Sequence, residues 1–308
     1  MCDFDGASRY DGAAALLPGA LRRRAMALGV EERAEAEELR LRAGRRLSVV
    51  LPGGERELGG DALTQRELDG VLELATGASA HTARDGVRAG YVTATGGYRI
   101  GLCGTVAVRD GAVSGFRFLS SVAVRVSRQI IGAADDIVGS VRSAGGVRST
   151  LIISPPGAGK TTLLRDIVRY ISLGGAPDMP GLRVALADER GEVAAMRGGV
   201  PQMDVGPRTD VLDACPKAEA VMMMLRSMNP QVIALDEITA PDDIRAIKYA
   251  SNCGVKLIAT AHADSTDDLR SRQMYRELME CGIFETAITI GRRGGARVYK
   301  AAGLQGTL

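Results

Sequence analysis

The sequence predicts an α/β core with a parallel sheet over residues 131–308, preceded by a smaller α+β domain over residues 1–130, and three observations carry that expectation. Apolar runs "TLIIS", "RVALAD", "QVIALDE" and "VKLIATAH" recur after Ser149, each continuous enough for a strand covered on both faces of a parallel sheet. Segments with helical spacing separate those runs, so the order is strand, helix, strand, helix. Upstream the texture changes to alternating or glycine-cut β-branched stretches around a single helical pattern.

In the first domain, "ELRLRAGRRLSVVL" (38–51) alternates apolar and polar residues with the period of strands. "LTQRELDGVLELATG" places Leu68, Leu72 and Ala75 on one helical face and closes at Gly77. The stretch "GYVTATGGYRIGLCGTVAVRDGAVSGFRFLSSVAVRVS" reads as further strands, with Asp110-Gly111 suited to a tight hairpin turn. An Ala/Gly/Arg-tinged connection over 139–148 is the expected hinge.

In the second domain a helix is expected over about 160–173, with Leu163, Leu164, Ile167, Val168 and Ile171 on one side. Another spans about 216–228 and stops at Asn229-Pro230, because the residue before proline disfavours helix. Its "VMMMLRSM" run reads as core, with Val221, Met224, Leu225 and Met228 at helical spacing. A third helix carries Pro241 in its first turn, followed by Asp242 and Asp243 at the positive end of the dipole. The last opens with Ser265 and Asp268 and closes at Gly282.

With 308 residues the chain has room for two domains, and 45% hydrophobic and 25% charged residues are ordinary for a globular protein. A net charge of +2 is too small to argue for nucleic acid or an anionic membrane as the main partner. No apolar run approaches the roughly 20 residues that cross a bilayer, and "MCDFDGASRYDG" is not a secretory signal, so a cytoplasmic location is expected. Cys2, Cys103, Cys215, Cys253 and Cys281 lie far apart and the only histidines are His81 and His262, which points to reduced, mostly buried thiols rather than a zinc site or a disulfide framework. The cluster Arg22 to Arg24 reads as a solvated face.

The stretch "LIISPPGAGKTTLLRDI" (151–167) supplies what a phosphate loop needs. Pro155, Pro156, Gly157, Ala158 and Gly159 form a loop whose glycines let backbone N–H groups approach anionic oxygens. Lys160 brings charge to the β and γ phosphates, Thr161 a hydroxyl for magnesium, and Thr162 continues the helix that starts there. The pattern G-x-x-x-x-G-K-[ST] opens with glycine, and here that position is Ser154, which serves as long as its backbone stays in the ordinary region. The expected ligands are therefore ATP and Mg²⁺.

At the end of "QVIALDE", Asp236 is expected at the magnesium and Glu237 against a water as general base. "RVALADER" offers a second acidic pair, Asp188 and Glu189, belonging either to the catalytic site or to an ion pair with Arg190; which of Glu237 and Glu189 is the base stays open. His262 ends its strand where such folds place a residue that senses the γ-phosphate, with Thr260 and Asp264 beside it. Arg197, Arg208 and Arg226 are the arginines from which one could reach a neighbour's γ-phosphate, and Arg208 is the expected one.

"SPPGAGKTTLLRD", "DERGEVA", "DVGPRTDVLDACPKAEAVMMMLRSMNPQVIALDEI" and "ATAHA", with the upstream "ELRLRAGRRLSVVLPGG" and "GYVTATGGYRIGLCGTVAV", resemble the stage III sporulation protein AA family. Those are ATPases of endospore-forming bacteria related to secretion and pilus-motor ATPases, and the resemblance spans nearly the whole chain. It implies a RecA-like P-loop ATPase core and assigns Asp188 and Glu189 to an acidic box and His262 to a histidine box. It further implies a ring-forming homo-oligomer, a hexamer, in the mother-cell cytoplasm. Such a ring would dock on integral membrane proteins and power assembly of, or transport through, the channel to the forespore. The alternative is a P-loop ATPase acting on single-stranded nucleic acid. Against it stand the small net charge and the lack of a basic-aromatic cluster.

Overall fold

The computed structural model describes residues 6–77, 90–144, 146–176, 179–293 and 296–304; Cys2 and His81 lie outside them. The chain divides into two compact units, one running to Gln129 and including residues 195–202, the other comprising 130–194 and 203–308. That the short piece 195–202 belongs with the first unit is not visible in the hydrophobic pattern.

The first unit opens with three short helices, α1 (Gly6–Ala14), α2 (Gly19–Ala25) and α3 (Val30–Glu35), which the pattern did not announce. They accompany a six-stranded antiparallel sheet in the order β3-β2-β1-β6-β5-β4, made of β1 (Glu38–Arg42), β2 (Ser48–Leu51), β3 (Gly54–Glu57), β4 (Tyr91–Ala94), β5 (Tyr98–Arg109) and β6 (Ala112–Arg125). Alternation does its expected work in β1, where Leu39 and Leu41 are fully buried and join a core with Tyr10, Leu21, Leu68, Ile100 and Val124. Helix α4 (Gln65–Thr76) buries Leu68, Val71 and Ala75. It begins with a capping box, in which Thr64 N–H donates to Glu67 Oε2 at 2.8 Å and Glu67 N–H to Thr64 Oγ1 at 3.4 Å. It ends at Gly77, whose φ of 60° is the left-handed turn glycine tolerates. Asp110 and Gly111, at φ 52° and 77°, make the hairpin turn between β5 and β6.

The second unit holds a seven-stranded sheet in the order β13-β12-β14-β15-β9-β16-β17. Its members are β9 (Thr150–Ser154), β12 (Val184–Asp188), β13 (Thr209–Asp213), β14 (Val232–Leu235), β15 (Lys256–His262), β16 (Thr286–Arg293) and β17 (Ala296–Gly303), while β10 (Gly174–Ala176) and β11 (Met179–Pro180) pair with each other outside it. All neighbours are parallel except the edge pair β16-β17, so the sheet is mixed at one edge. Helices α6 (Lys160–Leu173), α7 (Lys217–Ser227) and α8 (Pro241–Asn252) fall where the pattern puts them. Leu151, Ile153, Ile233, Leu235, Leu257 and Ala259 form one core with Val221 and Met224 of α7 and Ile244 and Ile247 of α8. Intervening residues such as Ile152 and Ile258 point to the other face, and α6 buries Leu163, Leu164, Ile167, Val168 and Ile171.

Several expectations need correcting. The described residues of the connection over 139–148 carry secondary structure, one helical turn α5 (Val138–Val141) followed by the antiparallel pair β7 (Arg142–Ser143) and β8 (Gly146–Val147). The helix expected from Ser265 to Gly282 is two, α9 (Thr266–Ser271) and α10 (Gln273–Glu280), interrupted at Arg272, which is extended at φ −93°, ψ 123°. Its guanidinium donates to the His262 carbonyl at 2.8 Å and to the Asp268 carboxylate at 2.8 Å, contacts that fix the break. Met228 is 40% exposed, because α7 ends before it, whereas Val221 and Met224 are buried. Cys103, Cys253 and Cys281 are exposed and Cys215 half-buried; all four are free thiols, but not the buried ones expected. Cys253 and Cys281 sit at helix C-caps and Cys103 on the outer part of β5, positions that packing leaves open.

Candidate nucleotide site

The loop 155–159 connects the buried end of β9 to the first turn of α6, so the N–H groups of that turn face its concave side. Gly157 and Gly159 adopt φ of 73° and 105°, conformations a side chain resists, while Ser154 is absent from the positive-φ residues and needs no glycine. Ser154 is buried as the last residue of β9, and its hydroxyl donates to the Pro155 carbonyl at 3.0 Å.

Lys160, 6% exposed, folds over this loop: Nζ donates to the carbonyls of Ser154 at 2.9 Å and Pro155 at 3.1 Å and lies 2.7 Å from His262 Nδ1. Burial lowers the ammonium's pKa, against the pull of Asp236 and Glu237 in the other direction. An ammonium only donates, so Nδ1 accepts and the imidazole proton resides on Nε2. From there it reaches Glu237 Oε1 at 3.2 Å, and the other oxygen, Oε2, takes Arg190 Nη1 at 3.1 Å. Lys160, His262, Glu237 and Arg190 therefore form one connected chain.

The parallel register explains why these residues converge. His262 lies opposite Ser154, and Leu235 opposite Ala259, so the ends of β9, β14 and β15 open at the same edge. Asp236 is gripped from two sides, Oδ2 by the Thr161 hydroxyl at 2.8 Å and Oδ1 by the Thr260 hydroxyl at 2.7 Å. The Thr260 hydroxyl also accepts Glu237 N–H at 2.8 Å, and its carbonyl accepts Ile238 N–H at 2.9 Å. One fully buried threonine thus fastens three consecutive residues, and Glu237 is held at φ 53°, left-handed for a non-glycine residue. The role of Thr260 went unread because a threonine inside an apolar run looks like a β-former.

Thr161 Oγ1 and Asp236 Oδ2 are adjacent hard oxygen donors at the helix start, a pair that fits Mg²⁺, which takes one or two protein oxygens and fills its shell with phosphate and water. Thr162 is half-buried in the first turn of α6, and Pro156 and Ala158 lie in the loop.

The second acidic pair divides. Asp188, 1% exposed, turns inward and accepts the N–H groups of Glu192 at 2.9 Å, Val193 at 3.1 Å and Ala194 at 2.8 Å. Burial raises its pKa, opposed by those amides. Arg165 of α6 binds the same turn through the carbonyls of Val193 at 2.5 Å and Glu192 at 2.6 Å. Glu189 pairs with buried Lys217, which lies 3.9 Å from Asp243. The structure therefore joins Glu237, not Glu189, to Lys160 and His262, and Arg190 pairs with Glu237. Arg208 is not brought to the loop either: its Nη1 donates to the carbonyls of Ser172 at 3.0 Å and Leu173 at 3.3 Å, at the far end of α6. Arg197 lies in the 195–202 segment of the first unit, and Arg226 is exposed on the last turn of α7.

Comparison with known proteins places this geometry. A family model described as sporulation stage III, protein AA matches residues 8–303. The chain belongs to that family. The stage III sporulation protein AA of Bacillus subtilis (strain 168) is 36% identical over 282 residues, covering 92% of this chain and 91% of that protein. Among solved structures, the ATPase DotB of Yersinia pseudotuberculosis superposes with a TM-score of 0.60 at 15% identity over 94% of this chain and 80% of that one. The pilus retraction motor PilT with bound ADP gives 0.59 at 18% identity over 86% and 78%. At such identities the likeness shows the fold alone, so this chain has the α/β fold of those two proteins. No helix of the described residues is long and apolar enough to cross a membrane.

Proposed function

We propose that this chain is a Mg²⁺-dependent ATPase. Its reaction is in-line attack of water on the γ-phosphorus, with cleavage of the bond to the β-γ bridging oxygen and release of ADP and phosphate. The observation that supports this reading is the chain from Lys160 through His262 to Glu237, set beside Asp236 and Thr161 at one end of the sheet. The loop 155–159 and the first turn of α6 hold the β-phosphate, and Lys160 exchanges its carbonyl and imidazole partners for phosphate oxygens. Thr161 and Asp236 would hold Mg²⁺, which would supply charge neutralisation to the phosphates. Glu237 takes the proton of the attacking water, and His262 Nε2–H orients the carboxylate that receives it.

A sporulation setting is supported by the family and by the name of the Bacillus subtilis relative, and the rest of the setting is part of the proposal. The chain acts in the mother-cell cytoplasm as a homo-oligomeric ring, a hexamer, and turns hydrolysis into subunit movement. That movement serves assembly of, or transport through, a channel to the forespore, by docking on integral membrane proteins. The test is phosphate release by purified protein with Mg²⁺ and ATP, in parallel with spore yield. Lys160→Ala should abolish both; normal turnover and normal spore yield from that variant contradict the reading.

A further inference from the structure

The antiparallel edge hairpin β16-β17 reaches past the end of the strand it pairs with. Thr289 of β16 lies opposite Ile153, one residue before β9 ends, while β16 continues to Arg293. The overhanging part therefore runs alongside the phosphate loop rather than alongside a strand. Its partner β17 brings Arg297 back over that loop: a Cβ built on Gly159 would stand 2.8 Å from Arg297 Nε and 2.9 Å from its Cζ. Gly159 thus serves two needs, a φ of 105° and room for a guanidinium against its backbone.

Arg297 is exposed and makes no ion pair with a described residue. Directly across the ladder from it stands Arg292, also exposed and without a carboxylate partner among the described residues. Like charges facing each other across strands destabilise a hairpin. An anion beside them reverses the sign of that interaction, and the nearest built anion cradle is the turn Arg297 leans on. A guanidinium there offers a planar pair of N–H donors, which matches two phosphate oxygens, and it lies at the positive end of α6.

We infer that Arg297 is a substrate-binding residue supplied in cis, contacting phosphate oxygens of the nucleotide held by the loop 155–159. The inference rests on the nucleotide reading above and adds a ligand contact that comes from the C-terminal hairpin rather than from the phosphate loop or the acidic strand ends. Arg292 supports the same anion from the second row.

The experiment is calorimetric titration of Mg·ATP and Mg·ADP into wild-type protein, Arg297→Ala, Arg297→Lys and Arg292→Ala. Because Arg297 is exposed, its removal leaves the fold intact, which circular dichroism checks. Arg297→Ala should weaken Mg·ATP about ten- to a hundredfold, the range for losing charge-assisted hydrogen bonds. Arg297→Lys should recover part of that loss, and Arg292→Ala should weaken binding by less. Equal losses for ATP and ADP place the contact on the α or β phosphate; a loss confined to ATP places it on the γ phosphate. Wild-type affinity in Arg297→Ala, within twofold for both nucleotides, overturns the inference while leaving the ATPase reading standing. Absence of nucleotide binding by the wild type overturns both.

Discussion

Replacing Glu237 by glutamine separates binding from chemistry. The amide keeps the shape of the carboxylate, so its oxygen still accepts from either Arg190 or His262, the partners now at 3.1 and 3.2 Å. Lys160 and Thr161 are untouched, so affinity for Mg·ATP should stay within about threefold of wild type. The amide cannot take a proton from water, and removal of a positioned general base lowers a rate by about 10²–10⁴-fold, or about 3–5 kcal/mol in the barrier. Single-turnover phosphate release measures this directly, and Glu189→Gln is the control. Glu189 is bound to Lys217, and no hydrogen bond or ion pair joins it to His262 or Lys160, so its loss should leave the chemical step within about tenfold of wild type. A Glu237→Gln enzyme that releases phosphate at the wild-type rate, or a Glu189→Gln enzyme that falls further, would refute the assignment of the base.

Thr260→Val removes the hydroxyl that serves both Asp236 and Glu237 while keeping the shape of the side chain. It should lower kcat about ten- to a hundredfold with KM for ATP nearly unchanged, and Thr260→Ser should restore most of the rate; equal kcat in all three would show the hydroxyl to be idle. Asp188→Asn puts one amide nitrogen against the N–H groups that the carboxylate now accepts and should destabilise the protein by about 1–3 kcal/mol in denaturant. Circular dichroism is the probe, since the chain has no tryptophan, and an unchanged midpoint would count against the clamp. In the first unit, hydrogen bonds from Arg42 and Ser48 lower the Glu55 carboxyl from 4.5 to about 2. A depressed acid contributes stability above its unfolded pKa and loses it as pH falls through the folded one. The contribution of Glu55 should therefore fade between pH 4.5 and about 2, to an extent limited by its exposure, and be missing from Glu55→Gln; identical acid titrations of the two proteins would show the pair to be inert.

What the sequence disclosed and what it hid follow from the range of the interactions involved. The phosphate loop, the strand runs and helices such as α6 and α8 were legible because their signals are local. These are glycine before a helix start, uninterrupted apolar runs, and proline with two acids in a first turn. The break at Arg272 was hidden because it depends on a carbonyl ten residues earlier, and a helical period continues across it unaltered. The edge strands β13 and β17 carry too many polar residues to look like buried strands, which is the nature of an edge, and β16 beside β17 starts buried but ends in exposed Gly291, Arg292 and Arg293. At the site, the residue types at the strand ends were readable, but their pairing was not. Asp188 and Glu189 are neighbours in sequence, yet strand alternation sends one into the backbone clamp and the other to Lys217. Nothing local marked Arg208 as the donor to the Ser172 and Leu173 carbonyls at the end of α6.

The central claim is that Lys160, Thr161 and Asp236 hold one Mg·triphosphate between them, and calorimetric titration of Mg·ATP into wild-type and Lys160→Ala protein tests it most directly. The account predicts saturable heat from one site per chain for the wild type, dependent on Mg²⁺, and none for the variant. Equal heats for the two proteins, or no heat from the wild type, would contradict it.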